Sequence, residues 1–167
     1  MVNVLPAPEI KDKLDAFLKR FSSTPYSPIR RKASPGIGID CAQAIGEAFN
    51  IPYDPYPLFL DDSWSAFTKE EKLLSRVVWA LIHAGLRIRI FQTHSAFPFP
   101  LRTGDVLGIG TPVRHFAIIY DSKRVIDVTE TSPLGLYPRL RSYLRLTTRI
   151  IRISHRSFDG YETEYYL

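Results

Sequence analysis

The spacing of hydrophobic residues changes along the chain from a helical period to alternation. Over residues 8–21 apolar side chains recur every three or four positions, which predicts an amphipathic helix. A second helix is predicted over 40–50, where Pro52 stops it. A third is predicted to begin with a capping box at 68–71 and to end at Ala84, before Gly85.

The second half of the chain is rich in short segments of β-branched and aromatic residues. They predict strands over 86–91, 105–109, 114–120, 124–129 and 145–154, whereas 134–143 is ambiguous and could hold a turn of helix. The break at 121–123 fits a tight hairpin, so the strands on either side of it are expected to pair. Helices followed by an antiparallel sheet predict an α+β fold.

Length and composition predict one globular domain. The chain has 167 residues, enough for a single domain with a substantial core. Its hydrophobic fraction of 45% and charged fraction of 23% exclude a disordered chain. We therefore predict a single domain over 1–167, with the N-terminal helix within 1–21.

Charge and cysteine content limit the surroundings that suit the chain. The net charge of +5 favours anionic partners, among them nucleic acid, an anionic membrane surface or an acidic wall polymer. One cysteine cannot form an internal disulfide. No apolar run approaches the length of a membrane span, so no membrane span is predicted.

The only cysteine, Cys41, lies where a loop rich in Pro and Gly gives way to the second predicted helix. Unpaired backbone N–H groups and the helix dipole favour a thiolate at such a position. The thiolate is the nucleophilic form of cysteine, so Cys41 is a candidate nucleophile. The alternative is a small buried apolar residue, because free cysteine is often buried.

A cysteine nucleophile needs a base, and the base needs a third group that fixes its tautomer. Of the four histidines, His83 lies within the third predicted helix, His94 in a loop and His155 in a basic tail. His115 instead begins a predicted strand directly after a Gly-Thr-Pro turn, where a base can be held rigidly. Taken alone, a histidine at the start of a strand is more often a surface residue. Its pairing with Cys41 favours the catalytic interpretation.

Asp127 is the candidate for the third group. It stands between apolar residues on the strand after that of His115. If the hairpin closes between them, its carboxylate can point to the same face and accept the second ring N–H of His115. The alternative is a strand-end aspartate at the solvent edge.

No pattern predicts a metal or a cofactor. The single cysteine and the scattered histidines lack the spacing of metal ligands. The Gly-Ile-Gly segments at 36–38 and 108–110 lack the length and the lysine of a phosphate-binding loop.

Six short segments carry a resemblance to a known family over about residues 22–130. Asp40-Cys41 and the pieces Gly-Asp-Val and His-Phe-Ala-Ile are the most specific parts. Together they resemble the NlpC-type cell-wall cysteine peptidases, papain-like enzymes with a Cys on a helix followed by a His on a strand. The segments are Thr24-Pro25-Tyr26, Ser34-Pro35-Gly36, Ile39-Asp40-Cys41, Leu101-Arg102-Thr103-Gly104-Asp105-Val106, His115-Phe116-Ala117-Ile118-Ile119-Tyr120 and Arg124-Val125-Ile126-Asp127.

The resemblance implies a papain-like fold with Cys41 as nucleophile, His115 as general base and Asp127 as the orienting residue. It implies that Tyr26 lines the site beside the thiol. We expect Asp40 and Arg114, which precede the two catalytic residues, to contact substrate as well. The family commonly cleaves peptide bonds in peptidoglycan stems next to D-glutamate, so the expected partner is a peptidoglycan fragment or a peptide.

The sequence departs from the family pattern in three places. Cys41 is followed by Ala42-Gln43 where the family favours Ser-Gly, and the loop before it is a few residues longer. Residues 52–100 are longer and richer in proline than usual, which predicts an enlarged insertion with an additional helix. These departures affect the expected substrate more than the catalytic residues.

Two other functions are compatible with the sequence. The segment 125–129 also resembles the Asp strand of transglutaminase-like acyltransferases and deamidases, which share the order Cys, His, Asp. The strand at 104–106 and the prolines after the Cys helix favour the peptidase.

A function of another class is a basic nucleic-acid-binding module. Six arginines lie close together near the C-terminal end, with two tyrosines among them. Most such stretches are a solvated strand face, so nucleic acid is the less favoured partner. The arginines are Arg139, Arg141, Arg145, Arg149, Arg152 and Arg156.

The first residues lack the basic and apolar regions of a signal peptide, which predicts a chain that is cytoplasmic as synthesised. A wall enzyme of this kind has to be released by lysis, injected or carried on a phage particle. Otherwise its substrate is a cytosolic peptide or wall fragment.

Overall fold

The helices from the first half of the chain pack against a sheet built mainly from the second half. A computed structural model describes residues 4–5, 8–27, 32–51, 72–93, 100–138 and 140–154. Within them the elements are β1 (Val4–Leu5), α1 (Pro8–Phe21), α2 (Cys41–Ala48), α3 (Lys72–His83), β2 (Arg87–Gln92), β3 (Leu101–Arg102), β4 (Val106–Ile109), β5 (His115–Ile119), β6 (Val125–Thr129), β7 (Ser132–Tyr137), α4 (Leu140–Leu146) and β8 (Thr147–Ser154).

Six of the strands form one antiparallel sheet in the order β2-β8-β4-β5-β6-β7. The last strand of the chain, β8, lies inside the sheet between β2 and β4, whereas β1 and β3 form a separate parallel pair. The predicted α+β class is confirmed, and the predicted pairing of the strands that carry His115 and Asp127 is present as β5 and β6.

Both faces of the sheet are covered. One core lies between the sheet and α1 to α3, and includes Phe17, Ile45 and Leu81 from the three helices. A second core on the other face brings together Leu107, Ala117 and Ile150 with side chains of α4, β1 and β3. The alternation of inward and outward residues along the strands gives the sheet these two apolar faces.

The first helix forms as its pattern predicts. Its bounds are Pro8–Phe21, and the apolar residues of the predicted face are all buried. Gly104, before β4, adopts a φ of +92°, and a Cβ there would lie 2.4 Å from Ile10 Cγ2 of this helix. Glycine is therefore required where the helix meets the start of the sheet. The buried residues are Ile10, Leu14, Phe17, Leu18 and Phe21.

The ends of the other helices follow from local capping. Helix α2 is shorter than the predicted 40–50, because Asp40 caps it from outside and Asn50 leaves helical geometry with a φ of 57°. At the end of α3, the backbone N–H of Leu86 donates to Leu81 O, and Gly85 has a φ of +79°. This is the left-handed C-terminal cap that Gly85 predicts. The capping box at 68–71 lies outside the described residues.

The ambiguous segment 134–143 divides between two elements. Its first part is strand β7, and its last part belongs to α4, which continues to Leu146. The final strand therefore begins at Thr147 rather than at the predicted position 145. Thr147 marks the change, since its hydroxyl donates to Tyr143 O in the last turn of α4.

A buried ion pair joins β8 to the start of β4. Asp105 Oδ1 and Oδ2 accept two hydrogen bonds from Arg152, at 3.0 and 2.9 Å, and Oδ2 also accepts from the Arg102 backbone N–H at 2.8 Å. Burial raises the pKa of Asp105, and the hydrogen bonds and charge of Arg152 oppose that effect. One of the six C-terminal arginines thus neutralises a carboxylate whose side chain is 1% exposed.

None of the helices in the described part of the chain combines the length and the apolar character needed to cross a bilayer.

Replacing Arg152 with Leu should lower the free energy of unfolding by about 3–5 kcal/mol, because it leaves the Asp105 carboxylate buried without its cation. Urea denaturation at neutral pH followed by circular dichroism measures the loss. Arg141→Leu, at an exposed position on α4, is the control and should change stability by less than about 0.5 kcal/mol. Equal stability of the two variants would contradict a stabilising role for the pair.

Candidate active site

Cys41 is the first residue of α2, and the residues around it form a capping box. Asp40 Oδ1 accepts from the Gln43 backbone N–H at 2.7 Å, and Gln43 Oε1 accepts from the Asp40 backbone N–H at 3.1 Å. Gln43 lies in the Ala-Gln pair that stands where the NlpC-type pattern has Ser-Gly. It therefore helps to fix the N-terminus of α2. The Cys41 side chain is half-buried against the core that lies between the sheet and helices α1 to α3.

A short parallel bridge holds Tyr26 beside the start of α2. The Ile39 backbone N–H donates to Pro25 O, and the Ser27 N–H donates to Ile39 O. Burial and the nearby charges of Cys41 and Asp40 raise the pKa of the Tyr26 phenol. The structure thus places Tyr26 next to the thiol.

His115 and Asp127 come from neighbouring strands. Ile119 of β5 pairs with Val125 of β6, and His115, at the start of β5, reaches the Asp127 carboxylate across this pair. The pairing of β6 with β7 is irregular between Asp127 and Thr129. Such irregularities change the direction of a side chain, and they recur next to functional sites.

The Asp127 carboxylate is buried and fully hydrogen bonded. Its Oδ1 lies 2.5 Å from His115 Nε2 and accepts from the Val128 backbone N–H at 2.8 Å. Its Oδ2 accepts from the Tyr143 hydroxyl at 2.5 Å. The side chain is 1% exposed, whereas that of His115 is 25% exposed. A charged group can be this deeply buried because each oxygen has a donor.

The imidazole of His115 lies between a carboxylate and a thiol. Burial lowers the pKa of His115, but hydrogen bonds and charge interactions with Asp127 and Cys41 outweigh it and raise the pKa to about 10. Because Nε2 is engaged by Asp127, Nδ1 is the ring nitrogen available to the thiol. The arrangement favours a charged imidazolium beside Cys41 at neutral pH.

Asp40 and Arg114 occupy different surroundings. Burial raises the pKa of Asp40, whereas hydrogen bonds from the backbone of Gln43 and Ala42 and the charge of Arg76 lower it. Its carboxylate is thus committed to capping α2, beside Cys41. Arg114 is exposed and precedes His115. A contact of either side chain with substrate stays a prediction.

The described residues bring Cys41, His115 and Asp127 together and place Tyr26 and Asp40 around the thiol. They also add Tyr143, one of the two tyrosines that lie among the C-terminal arginines in the sequence. No sequence signal links Tyr143 to Asp127, because the contact depends on how α4 packs on the sheet. Across the same described residues, no group of three or more His, Cys, Asp and Glu side chains is arranged to hold a metal ion.

Neither models of known protein families nor curated protein sequences give a match to this chain.

The charge of His115 should make stability depend on pH. Its pKa of about 10 in the folded protein exceeds the ordinary value of about 6.5 in the unfolded chain, so folding takes up a proton between these values. The stabilisation that wild type has over His115→Gln should be complete below pH 6.5 and should decline as the pH rises towards 10. Urea denaturation of both proteins at several pH values measures this difference. A difference that grows with pH would contradict the ion pair.

The reactivity of Cys41 at pH 6.5 should depend on His115, because the charged imidazole lies beside the sulfur. We expect His115→Ala to slow alkylation by iodoacetamide about tenfold or more at that pH. His83→Ala, which removes an exposed histidine from α3, is the matched control and should leave the rate unchanged. Equal rates in wild type and His115→Ala would show that the two groups do not interact.

Proposed function

We propose that the chain is a cysteine hydrolase of the papain-like type that cleaves an amide bond in a peptidoglycan stem peptide or a related peptide. The observation that carries the proposal is the convergence of a half-buried thiol, an imidazole beside it and a buried carboxylate that is hydrogen bonded to the imidazole. The three groups come from α2, β5 and β6, and supply a nucleophile, a proton carrier and its orienting acceptor.

The reaction is acyl transfer to sulfur followed by hydrolysis. The Cys41 thiolate attacks the amide carbonyl carbon, and a C–S bond forms. His115 gives its proton to the leaving amine as the C–N bond breaks, which leaves a thioester on Cys41. Water then attacks the thioester while His115 accepts a proton, and the acid product leaves as the thiolate is restored.

The N-terminus of α2 supplies the stabilisation of the oxyanion. The backbone N–H of Cys41 is the first of the helix and lies next to the sulfur. A carbonyl oxygen that gains negative charge there is near the positive end of the helix dipole. The capping box formed by Asp40 and Gln43 holds this end of the helix in place.

The substrate class rests on the resemblance of the six segments to NlpC-type peptidases and on the charge of the chain. Thr24, in the first segment, accepts from the Gly36 backbone N–H in the second at 2.9 Å. Tyr26 and Ile39 are bridged between the first and the third. The three segments that precede or include Cys41 are thus joined to one another by these contacts, which hold the residues around the thiol. A net charge of +5 favours encounter with an anionic wall polymer.

The test is incubation with purified peptidoglycan and with muropeptides, followed by mass spectrometry of the released products. Wild type should release fragments cut at a stem amide bond, and Cys41→Ala should release none. Asp127→Asn should lower kcat/KM about a hundredfold or more, because His115 loses the acceptor that orients it. Asp121→Asn, in the β5–β6 turn, is the matched control and should retain activity.

Two other results would replace the proposal. Incorporation of a labelled amine into a glutamine-donor peptide without release of muropeptides would indicate a transglutaminase-like acyltransferase. Salt-dependent oligonucleotide binding that persists in Cys41→Ala, without hydrolysis by wild type, would indicate a basic binding module.

A further inference from the structure

We propose that Tyr143 is a positioning residue for the candidate triad, whose hydroxyl fixes the Asp127 carboxylate so that Oδ1 faces His115. The catalytic consequence of this proposal rests on the proposed function. The geometry does not, because it is a property of the folded chain alone.

The two oxygens of Asp127 have different partners. Oδ1 accepts hydrogen bonds from His115 Nε2 and the Val128 backbone N–H, and Oδ2 accepts one from the Tyr143 hydroxyl. The last torsion of an aspartate side chain is soft, so its donors decide which way the carboxylate plane points. Among the described residues, Tyr143 is the side chain that donates to Oδ2. Its bond holds the plane of the carboxylate, so that the other oxygen stays directed at His115.

The surroundings make this hydrogen bond consequential. The Asp127 side chain is 1% exposed, so water does not readily replace a missing donor. An O–H···O⁻ bond of 2.5 Å is short and charge-assisted, which is the stronger class of hydrogen bond. Loss of the hydroxyl leaves a buried carboxylate oxygen without its donor and the carboxylate free to turn.

Helix α4 holds the hydroxyl in position. Tyr143 and Leu144 pack against the second core, which includes Leu107 and Ala117 of the sheet. The Thr147 hydroxyl donates to Tyr143 O at the point where α4 passes into β8. Tyr143 is therefore fixed by packing on one side and by the end of its helix on the other, so it is suited to orient a second side chain.

The titratable groups that influence the charge of the His115 imidazole are Asp127 from β6 and Cys41 from α2. Tyr143 bonds to Asp127, so it acts on the imidazole through this carboxylate. Removal of its hydroxyl should therefore weaken the His115–Asp127 interaction without direct contact with the ring or the sulfur. Tyr143 therefore has a positioning role, because it acts on the imidazole only through Asp127.

The experiment compares Tyr143→Phe with Tyr137→Phe. Tyr137 is a matched control because it also packs against the second core, but its hydroxyl donates to Pro133 O in β7. In Tyr143→Phe we expect the pKa of His115, measured by NMR titration, to fall. Iodoacetamide alkylation of Cys41 at pH 6.5 should slow about tenfold, and kcat should fall about tenfold to a hundredfold with little change in KM. Tyr137→Phe should match wild type in each measurement.

A purely structural role for Tyr143 predicts another outcome: a lower melting temperature with an unchanged His115 titration and alkylation rate. That result, or equal changes in the two variants, would overturn the proposal. Both variants keep the aromatic ring in its packing, so both should fold, and thermal unfolding verifies this. If wild type hydrolyses no peptide, the proposed function fails, whereas the titration and the alkylation rate still decide the role of Tyr143.

Discussion

The buried carboxylate of Asp127 is the group on which the arrangement of the site depends. A charge with 1% exposure is expensive unless its oxygens are bonded, and here each oxygen has a donor. The donors are His115 of β5, the backbone N–H of Val128 and the hydroxyl of Tyr143 on α4. The carboxylate in turn holds Nε2 of His115, which leaves the other ring nitrogen for Cys41. The buried carboxylate thus sets the orientation of the imidazole and favours its charged form.

The opposite side of the site depends on the start of α2. The reciprocal hydrogen bonds between Asp40 and Gln43 satisfy two backbone donors and fix the first turn, in which Cys41 lies. Backbone hydrogen bonds between Ile39 and the residues on either side of Tyr26 hold the segment that precedes α2. The helix packs on β5 and β6, so the thiol is held against the strand end that begins with His115. Two rigid elements therefore meet at the candidate site, as a nucleophile and its base require.

The C-terminal segment serves the fold and the site together. Arg152 of β8 neutralises Asp105 near the start of β4, and β8 lies inside the sheet. Directly before β8, α4 carries Tyr143 to Asp127. The cluster of arginines that suggests a nucleic-acid surface thus contains at least one residue with a structural partner. Arg141 and Arg145 are exposed on α4.

Local sequence determined much of this protein. The apolar spacing over 8–21 sets both the bounds and the buried face of α1, because helix amphipathicity is a property of neighbouring residues. The turn at 121–123 determines that the strands of His115 and Asp127 pair. That turn and the helix start at Cys41, together with the resemblance of the short segments to a known family, predict the three candidate catalytic residues as a set.

Only the tertiary structure decided which distant groups complete that set. Nothing near Tyr143 in the sequence indicates a bond to Asp127, because the contact forms only when α4 packs on the sheet. The same is true of the pair between Asp105 and Arg152, and of the insertion of β8 between β2 and β4. Local propensity also does not predict how 134–143 divides into a strand and a helix. Tertiary packing decides it, because β7 pairs at the edge of the sheet and α4 packs on the second core. Local patterns report local backbone preference, whereas the partners of a buried charge depend on which segments the fold brings together.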